Sequence, residues 1–275
     1  MQRLAGIDID AISTAGLGTC IQFPQLDLCF DLGICPQSAI RLRTVLFTHA
    51  HIDHMGGVVQ HCASRTLLGM KPARYVLSPE HVEAFHGILD AWKRLDRNRL
   101  VCDVHPLGVG ETVALRAGHY AKAFRASHTM PAQGYVVYRQ NRKLKPEYQG
   151  LSGPEIARAR REGHVVTRCE DVPLVAFTGD TTAEVIDRVD DLRRAKLLVM
   201  ELTFVDDAVS VVGARKRGHV HIDDLLPRLE KLENRHVLFT HLSARYSHAK
   251  ANALLQERLP EEWRPRVTLL PHRLP

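Results

Sequence analysis

The sequence predicts an α/β fold in which two β-sheets pack together and carry helices on their outer faces. Short runs rich in Val, Ile, Leu, Phe and Thr recur along the whole chain and end at Gly, Pro or Asp, as strands do. The early runs follow one another directly, as in a meander, whereas the later runs alternate with helix-like segments. Because a sheet must bury its apolar faces, two packed sheets with helices outside satisfy this order.

Ten runs along the chain have the composition of strands. Several of them end in a histidine or an aspartate. The predicted strands cover residues 19–23, 26–33, 44–49, 74–78, 120–128, 134–139, 174–180, 196–204, 236–241 and 267–270.

Five segments between the later strands are predicted to be helices. In the first, apolar residues from Val82 to Trp92 share one face, and Pro79 fits the first turn with Ser78 as its cap. Pro227 interrupts the fourth, which predicts a kink or a late start. The predicted helices cover residues 79–96, 153–163, 181–195, 221–233 and 247–259.

The most polar stretch of the chain lies at residues 139–154 and carries four basic residues between Arg139 and Lys145. We predict a loop or a short arm between the two halves of the protein there.

Length and composition set wider limits. A chain of 275 residues allows one large domain or two small ones, and we expect a single domain over residues 1–275. Six scattered cysteines without a C-x-x-C pair predict reduced thiols and neither a disulfide framework nor a structural zinc site. The net charge of +6 permits a polyanionic partner without requiring one. Neither a membrane span nor a secretion signal is recognisable, so we predict a cytoplasmic protein without membrane contact.

Residues 48–57, with the sequence THAHIDHMGG, form the densest group of metal-ligand side chains. His49 and His51 follow a predicted strand, and residues two apart in an extended segment point the same way. Asp53 and His54 come where the chain turns, beside two glycines that permit close backbone approach. Imidazole and carboxylate together suit zinc or a similar divalent ion.

Three more ligand-type residues close predicted strands elsewhere in the chain: His128, Asp180 and His241. Any one of them alone is more readily explained as a capping or strand-end residue. Sites in layered folds form where strand ends converge, however. Together with residues 48–57, these three give five histidines and two aspartates, enough for two metal ions with a bridging carboxylate.

The order of these motifs resembles the metallo-β-lactamase superfamily: T-H-A-H-I-D-H, a lone histidine, G-D-T, and a late histidine. The segments SHTMPAQGYVVY, LVMELTFVDDAVSV, ARKRGHVHI and FTHLSARYS are similar to the short form of ribonuclease Z, and the similarity runs from about residue 12 to about residue 270. The resemblance implies an αββα sandwich of two mixed sheets with the metals between the sheet edges. It also implies a homodimer.

The resemblance assigns metal ligands residue by residue. The first zinc ion would take His49, His51 and His128; the second would take Asp53, His54 and His241; and Asp180 would bridge them. Mn²⁺ or Fe²⁺ could use the same ligands.

Catalytic roles follow from the same resemblance. His219 corresponds to the family's proposed general acid and Glu201 to the carboxylate that holds it, while Asp53 would orient the attacking water or act as base. We expect His221 to be a capping or substrate-edge residue. Ser243, Arg245 and Tyr246 are predicted phosphate or base contacts.

The implied activity is a zinc-dependent endoribonuclease that removes the 3′ trailer from pre-tRNA. Two departures from the family pattern, Met200 before Glu201 and His221 after Val220, do not disable this prediction. Residues 139–163, however, are expected to be too short for the long basic arm that grips tRNA in many bacterial relatives.

Two alternatives remain open at this point. One is a hydrolase of a small phosphodiester, thioester or lactone, which would need the metal cluster but not the pair of Glu201 and His219. The other is a zinc-stabilised scaffold or RNA-binding module without enzymatic activity.

Overall fold

Two seven-stranded sheets packed face to face form the centre of the protein, as predicted. The computed structural model describes residues 1–97 and 99–272, so position 98 and the last three positions of the predicted domain lie outside the described residues. The first sheet has the strand order β1 to β7, with β1–β4 antiparallel and β4–β7 parallel. Its strands are β1 Gln2–Leu4, β2 Ile7–Thr14, β3 Gly18–Phe23, β4 Leu28–Phe30, β5 Thr44–Leu46, β6 Ala73–Leu77 and β7 Cys102–Pro106.

The second sheet repeats this arrangement. It has the order β14 to β8, with β8–β11 antiparallel and β11–β14 parallel. Its strands are β8 Thr112–Ala114, β9 His119–Arg125, β10 Gln133–Leu144, β11 Thr167–Phe177, β12 Leu197–Glu201, β13 His236–Thr240 and β14 Val267–Leu269.

The helices of the described residues are shorter than the sequence predicts. The segment 181–195 forms two short helices, and 221–233 forms one short helix that gives way to a 3₁₀ helix at Leu226–Lys231, where Pro227 lies. Ser78 makes no side-chain capping bond. The helices are α1 Ile52–Met55, α2 Val58–Leu67, α3 Val82–Asp96, α4 Gly153–Arg161, α5 Val185–Arg188, α6 Asp190–Arg194, α7 Val211–Lys216, α8 Ile222–Leu225 and α9 His248–Arg258. None of them is both long and apolar enough to span a bilayer.

Three apolar layers hold the sandwich together. Between the sheets, Phe30 stacks on Phe177 with ring centroids 5.0 Å apart and on Tyr135 at 5.9 Å. A second cluster packs α2 and α3 onto the outer face of the first sheet. A third packs the helical segments from α5 to α9 onto the outer face of the second sheet. The layer order is therefore helices, sheet, sheet, helices.

The prediction of a loop at 139–154 is wrong over its first six residues. β10 continues to Leu144 and stays paired with β11 out to Thr167, whereas β9 leaves it at Arg139. The outer half of this hairpin is a two-stranded ribbon that ends in α4. We call residues 140–171 the arm. A ribbon exposed on both faces has no apolar alternation, which is why its strands are not recognisable in the sequence.

Gly134 on β10 provides a test of packing in the second sheet. A Cβ at this position would lie 2.2 Å from Phe124 Cζ and 2.7 Å from the Phe177 carbonyl oxygen. Gly134→Ala is therefore expected to lower the free energy of unfolding by about 1–3 kcal/mol. Gly87→Ala is the matched control, because Gly87 lies in α3 with open space at its Cβ, and there the change should stabilise by about 0.5–1 kcal/mol. Urea titrations that gave both changes the same sign would contradict this account.

Candidate metal centre

The seven predicted ligands meet at one edge of the sandwich, where strands from both sheets end. His49 and His51 follow β5, and Asp53 and His54 lie in the single turn of α1. The other three follow strands of the second sheet: His128 comes after β9, Asp180 after β11 and His241 after β13. The shared edge therefore brings together residues that lie almost 200 positions apart in the sequence.

Four of these side chains form a first group around the Oδ2 atom of Asp180. His51 Nδ1 lies 3.0 Å from His49 Nε2 and 3.2 Å from His128 Nε2. Asp180 Oδ2 is 3.7 Å from His49 Nε2 and 4.0 Å from His128 Nε2. All four ligand atoms lie within 4.8 Å of one another, a spacing that could hold one ion.

A second group lies on the other side of Asp180. His54 Nε2 and His241 Nε2 are 3.3 Å apart, and Asp53 Oδ2 is 3.4 Å from the latter. Asp180 Oδ1 is 3.3 Å from His54 Nε2, and its Oδ2 is 3.4 Å from His241 Nε2. One carboxylate thus faces both groups, as a bridging ligand must.

Three imidazoles and two carboxylates have the pKa directions that a cation needs, namely towards neutral imidazole and ionised carboxylate. Burial lowers the pKa of His49, His51 and His128. Burial alone would raise the pKa of Asp180, but the imidazoles of His241 and His54 hold that pKa well below its ordinary value. The pKa of Asp53 is likewise lowered, because its hydrogen bond with His241 and the charge of His54 outweigh its burial. His54 differs: burial lowers its pKa, but the carboxylates of Asp180 and Asp31 outweigh burial and raise it above its ordinary value.

The donor set fits a divalent metal better than a self-contained hydrogen-bond network. When two imidazole nitrogens face each other, only one of them can donate a hydrogen bond to the other. Several nitrogen lone pairs are therefore left pointing into the cluster. Asp180 Oδ1 is buried and makes no hydrogen bond of good geometry among the described residues. A buried carboxylate oxygen without such a bond is costly unless a cation accepts it.

Asp31 is a buried support for the centre that the sequence analysis missed. Its Oδ2 accepts a hydrogen bond from His54 Nδ1 at 2.8 Å, and its two oxygens also accept from the backbone N–H and the hydroxyl of Thr48. This contact leaves the Nε2 lone pair of His54 facing the second group. The signal in the sequence is the aspartate in FDLG, which lies near the end of the strand predicted at 26–33.

Glu201 and His219 lie next to the metal-ligand cluster, as the family resemblance implies. His219 Nδ1 donates to Glu201 Oε1 at 3.0 Å and is 4.0 Å from Asp180 Oδ2. Glu201 also accepts from the N–H groups of Thr181 and Val220 and from the Thr203 hydroxyl. Burial lowers the pKa of His219, but the carboxylates of Glu201 and Asp180 outweigh it and raise the pKa to about 9.

The three predicted substrate contacts differ in how they are placed. Arg245 is exposed and lies over the Phe204 ring, 5.4 Å from its centroid, while its Nε donates to Ser243 Oγ. The Phe204 ring in turn has an edge contact with His219. Tyr246 is only 4% exposed and donates its hydroxyl to Asp206, which does not favour direct contact with a substrate.

Two further residues, Arg217 and His221, lie beside Phe204. Arg217, which the sequence analysis did not single out, lies 5.9 Å from the same Phe204 ring. His221 is a buried cap of α8, where its Nδ1 accepts from the Asp223 N–H. The capping role expected for His221 is therefore confirmed, and a place at the substrate edge does not fit its burial.

The model of the β-lactamase superfamily domain matches residues 31–242, a span that contains all seven ligand-type residues. The fold and this group of side chains define a metal-dependent hydrolase of the β-lactamase superfamily.

Comparison with individual proteins narrows this class. The chain is 41% identical to tRNase Z TRZ1 of Arabidopsis thaliana over 89% of this chain and 88% of that protein. It is 37% identical to chloroplastic tRNase Z TRZ2 of the same plant, over 89% of this chain and 70% of that one. The crystal structure of short-form human tRNase Z superposes with a TM-score of 0.62 at 16% identity, covering 96% of this chain and 97% of that one. The chain belongs to the tRNase Z family.

The contact between Asp31 and His54 leads to a prediction about metal affinity. Asp31→Asn replaces the charged acceptor of the His54 Nδ1 proton with a weaker one, and we expect divalent-metal affinity to fall about 10- to 100-fold. Titration of the metal-free protein with Zn²⁺ against a chromophoric chelator measures this change. Asp207→Asn, an exposed aspartate, is the control. If Asp31→Asn had the same free energy of unfolding and the same metal affinity as wild type, Asp31 would have only a packing role.

Proposed function

We propose that this protein is a zinc-dependent endoribonuclease that removes the 3′ trailer from pre-tRNA. The names of its relatives support the substrate, and one feature of the site carries the proposal: a buried glutamate holds a partly exposed histidine beside the metal-ligand cluster. Hydrolysis of a thioester or lactone needs no such acid. Homodimer formation and a cytoplasmic location stay predictions.

Two Zn²⁺ ions per subunit are proposed, with the first held by His49, His51 and His128, the second by Asp53, His54 and His241, and Asp180 between them. Mn²⁺ and Fe²⁺ are alternatives. When bound, such ions supply Lewis-acid chemistry, which lowers the pKa of water and neutralises charge on a phosphoryl group.

The chain's own residues supply the remaining functions. Asp53 is held by the Gly16 N–H, which donates to its Oδ2 at 2.7 Å, while its Oδ1 makes no hydrogen bond within the described residues. We assign Oδ1 to orient the attacking water. The water oxygen joins phosphorus while a water proton passes to Asp53, the bond from phosphorus to O3′ breaks, and the phosphate stays on the 5′ end of the trailer.

His219 is proposed to give its proton to the departing O3′ of the tRNA. Because Nδ1 is committed to Glu201, the other ring nitrogen, Nε2, is free to face the substrate. Glu201 in turn receives hydrogen bonds on both oxygens and cannot turn away. Its role is therefore to position the acid, without contact to the substrate.

The composition of the arm favours a large polyanionic substrate. Residues 140–171 contain seven Lys or Arg against five Asp or Glu. Three of the basic residues pair with acids of the arm: Lys143 with Glu170, Lys145 with Glu147 and Arg158 with Glu162. Arg142 and Arg160 instead line a cavity of about 580 Å³ between the ribbon and α4.

A first experiment tests the reaction and its acid together. Wild-type protein with Zn²⁺ is expected to cut pre-tRNA on the 3′ side of the discriminator base, and His219→Ala should lower kcat about 10²- to 10⁴-fold with little change in KM. Cleavage-site mapping and steady-state kinetics measure this. Bis-p-nitrophenyl phosphate is the control substrate, because its leaving group departs without a proton, so its hydrolysis should change little. Equal losses on both substrates would remove His219 from the role of acid, and intact pre-tRNA with wild type would refute the proposed function.

A second experiment tests the arm. The double variant Arg142→Ala/Arg160→Ala is expected to raise KM for pre-tRNA about tenfold and to reduce the slope of log affinity against log salt by about 2, since each lost phosphate contact removes about one. The matched control is Arg41→Ala/Lys71→Ala, which removes two exposed charges just before β5 and β6, at the opposite edge of the first sheet from the site. Identical salt slopes for the two double variants would show that the arm does not contact RNA.

A further inference from the structure

A cavity of about 530 Å³ lies on the outer face of the second sheet, away from the metal-ligand cluster. It is formed by β9, β10, the turn before β8 at Val109 and Gly110, and the segment from Arg188 to Asp191. We call it the outer groove. None of the predicted site residues lines it, and neither the metal ligands nor the acid pair accounts for its composition.

The floor of the outer groove is aromatic and apolar. Phe124 lies flat across Gly134, where a side chain would collide with its ring at 2.2 Å. Val136 and Tyr138 continue the floor along β10. Tyr138 stacks on Tyr120 with centroids 4.8 Å apart and planes 10° from parallel. Phe124, Val136 and Tyr138 are only 9%, 2% and 5% exposed, so the floor is a closed apolar surface and the side chains at the rim are the ones free to contact a ligand.

The rim of the outer groove is positively charged. Lys122 and Arg125 are exposed, and neither side chain has an ion pair within the part of the chain that the structure describes. Arg188 lies opposite them, 3.8 Å from Glu184. The two carboxylates of the rim are already neutralised, since Asp190 pairs with Arg193 and Asp191 with Arg194. A net positive rim is complementary to the phosphates of a nucleic acid.

The outer groove adjoins a cavity that reaches one residue of the metal-ligand cluster, His128. Arg125 lines the outer groove and also lines this second cavity, which has a volume of about 420 Å³. From the other wall, Arg188 Nη2 donates to the hydroxyl of Ser127, the residue before His128, at 2.5 Å. A strand of RNA whose phosphate lies at the cluster can therefore continue past Arg125 into the outer groove.

We propose that the outer groove binds the single-stranded 3′ trailer through contacts of its phosphates with Lys122, Arg125 and Arg188. This proposal rests on the proposed function. The trailer is favoured over the duplex part of the RNA because it is the strand that leaves the scissile phosphate at the cluster, and Arg125 and Arg188 lie next to Ser127 and the metal-ligand residue His128.

The test compares two pre-tRNA substrates that differ in trailer length, one nucleotide against ten. Lys122→Ala/Arg125→Ala should lower kcat/KM about tenfold on the long trailer, since two phosphate contacts to a single strand are lost. On the one-nucleotide trailer the variant should match wild type. The control of equal charge is again Arg41→Ala/Lys71→Ala, and its kcat/KM should match that of wild type on both substrates. Equal effects of Lys122→Ala/Arg125→Ala on the long and the short trailer would overturn the proposal.

A binding measurement separates this proposal from the proposed function. Fluorescence anisotropy with a 5′-phosphorylated ten-nucleotide RNA reports occupancy of the outer groove without any cleavage. The Lys122→Ala/Arg125→Ala variant is expected to bind this RNA about tenfold more weakly than the control variant. If wild type left pre-tRNA intact yet the affinity difference appeared, the groove would stand as a single-strand site and the proposed reaction would fall. Equal affinities of the two double variants would show that the outer groove does not bind single-stranded RNA, whatever the cleavage result.

Discussion

A single buried carboxylate, that of Asp180, sets the arrangement of the whole site. Five imidazoles come within 4.0 Å of its two oxygens: those of His49, His54, His128, His219 and His241. Burying an ionised carboxylate is very costly unless it is paired or coordinated. Neutral imidazoles return only part of that cost, and a divalent cation between them returns far more. The geometry of the loops is thus tied to the presence of positive charge at this point.

The backbone at two strand ends is bent to serve this cluster. Asp31 and His241 have φ values of 56° and 57°, in the left-handed region that residues with a side chain seldom adopt. Each follows a strand directly, β4 in one sheet and β13 in the other. Such strain persists only where the surroundings fix it, and here the surroundings are hydrogen bonds: Asp31 to Thr48 and His54, and the His241 N–H to Ser13. The same hydrogen bonds therefore hold both the strained backbone and the metal-ligand cluster in place.

The sequence predicted the layer order and all seven clustered residues because both leave local signals. Apolar runs mark strands, and a ligand-type residue at the end of such a run lies at the edge where strands of one sheet meet. Asp31 was passed over because it lies inside the strand predicted at 26–33 and not at its end.

Long-range effects explain the other failures. The helix predicted at 181–195 breaks up because its first residues are held in the site, where the Thr181 N–H donates to Glu201. The strands of the arm carry polar residues on both faces, so no periodicity reveals them. Arg217 acquires a place beside Phe204 only through folding, since sequence spacing alone does not relate it to Arg245.

Substrate size follows from where the arm begins. β10 starts at Gln133, whose N–H donates to the carbonyl oxygen of Thr48 beside the metal-ligand cluster, and it runs 12 residues to Leu144 in the arm. At about 3.4 Å per residue, the outer end of the strand lies roughly 40 Å from the site. A small phosphodiester, thioester or lactone cannot reach both places, whereas a folded RNA can. The same strand also forms the floor of the outer groove, between the cluster and the arm. β10 therefore connects the three surfaces that we propose to contact the RNA.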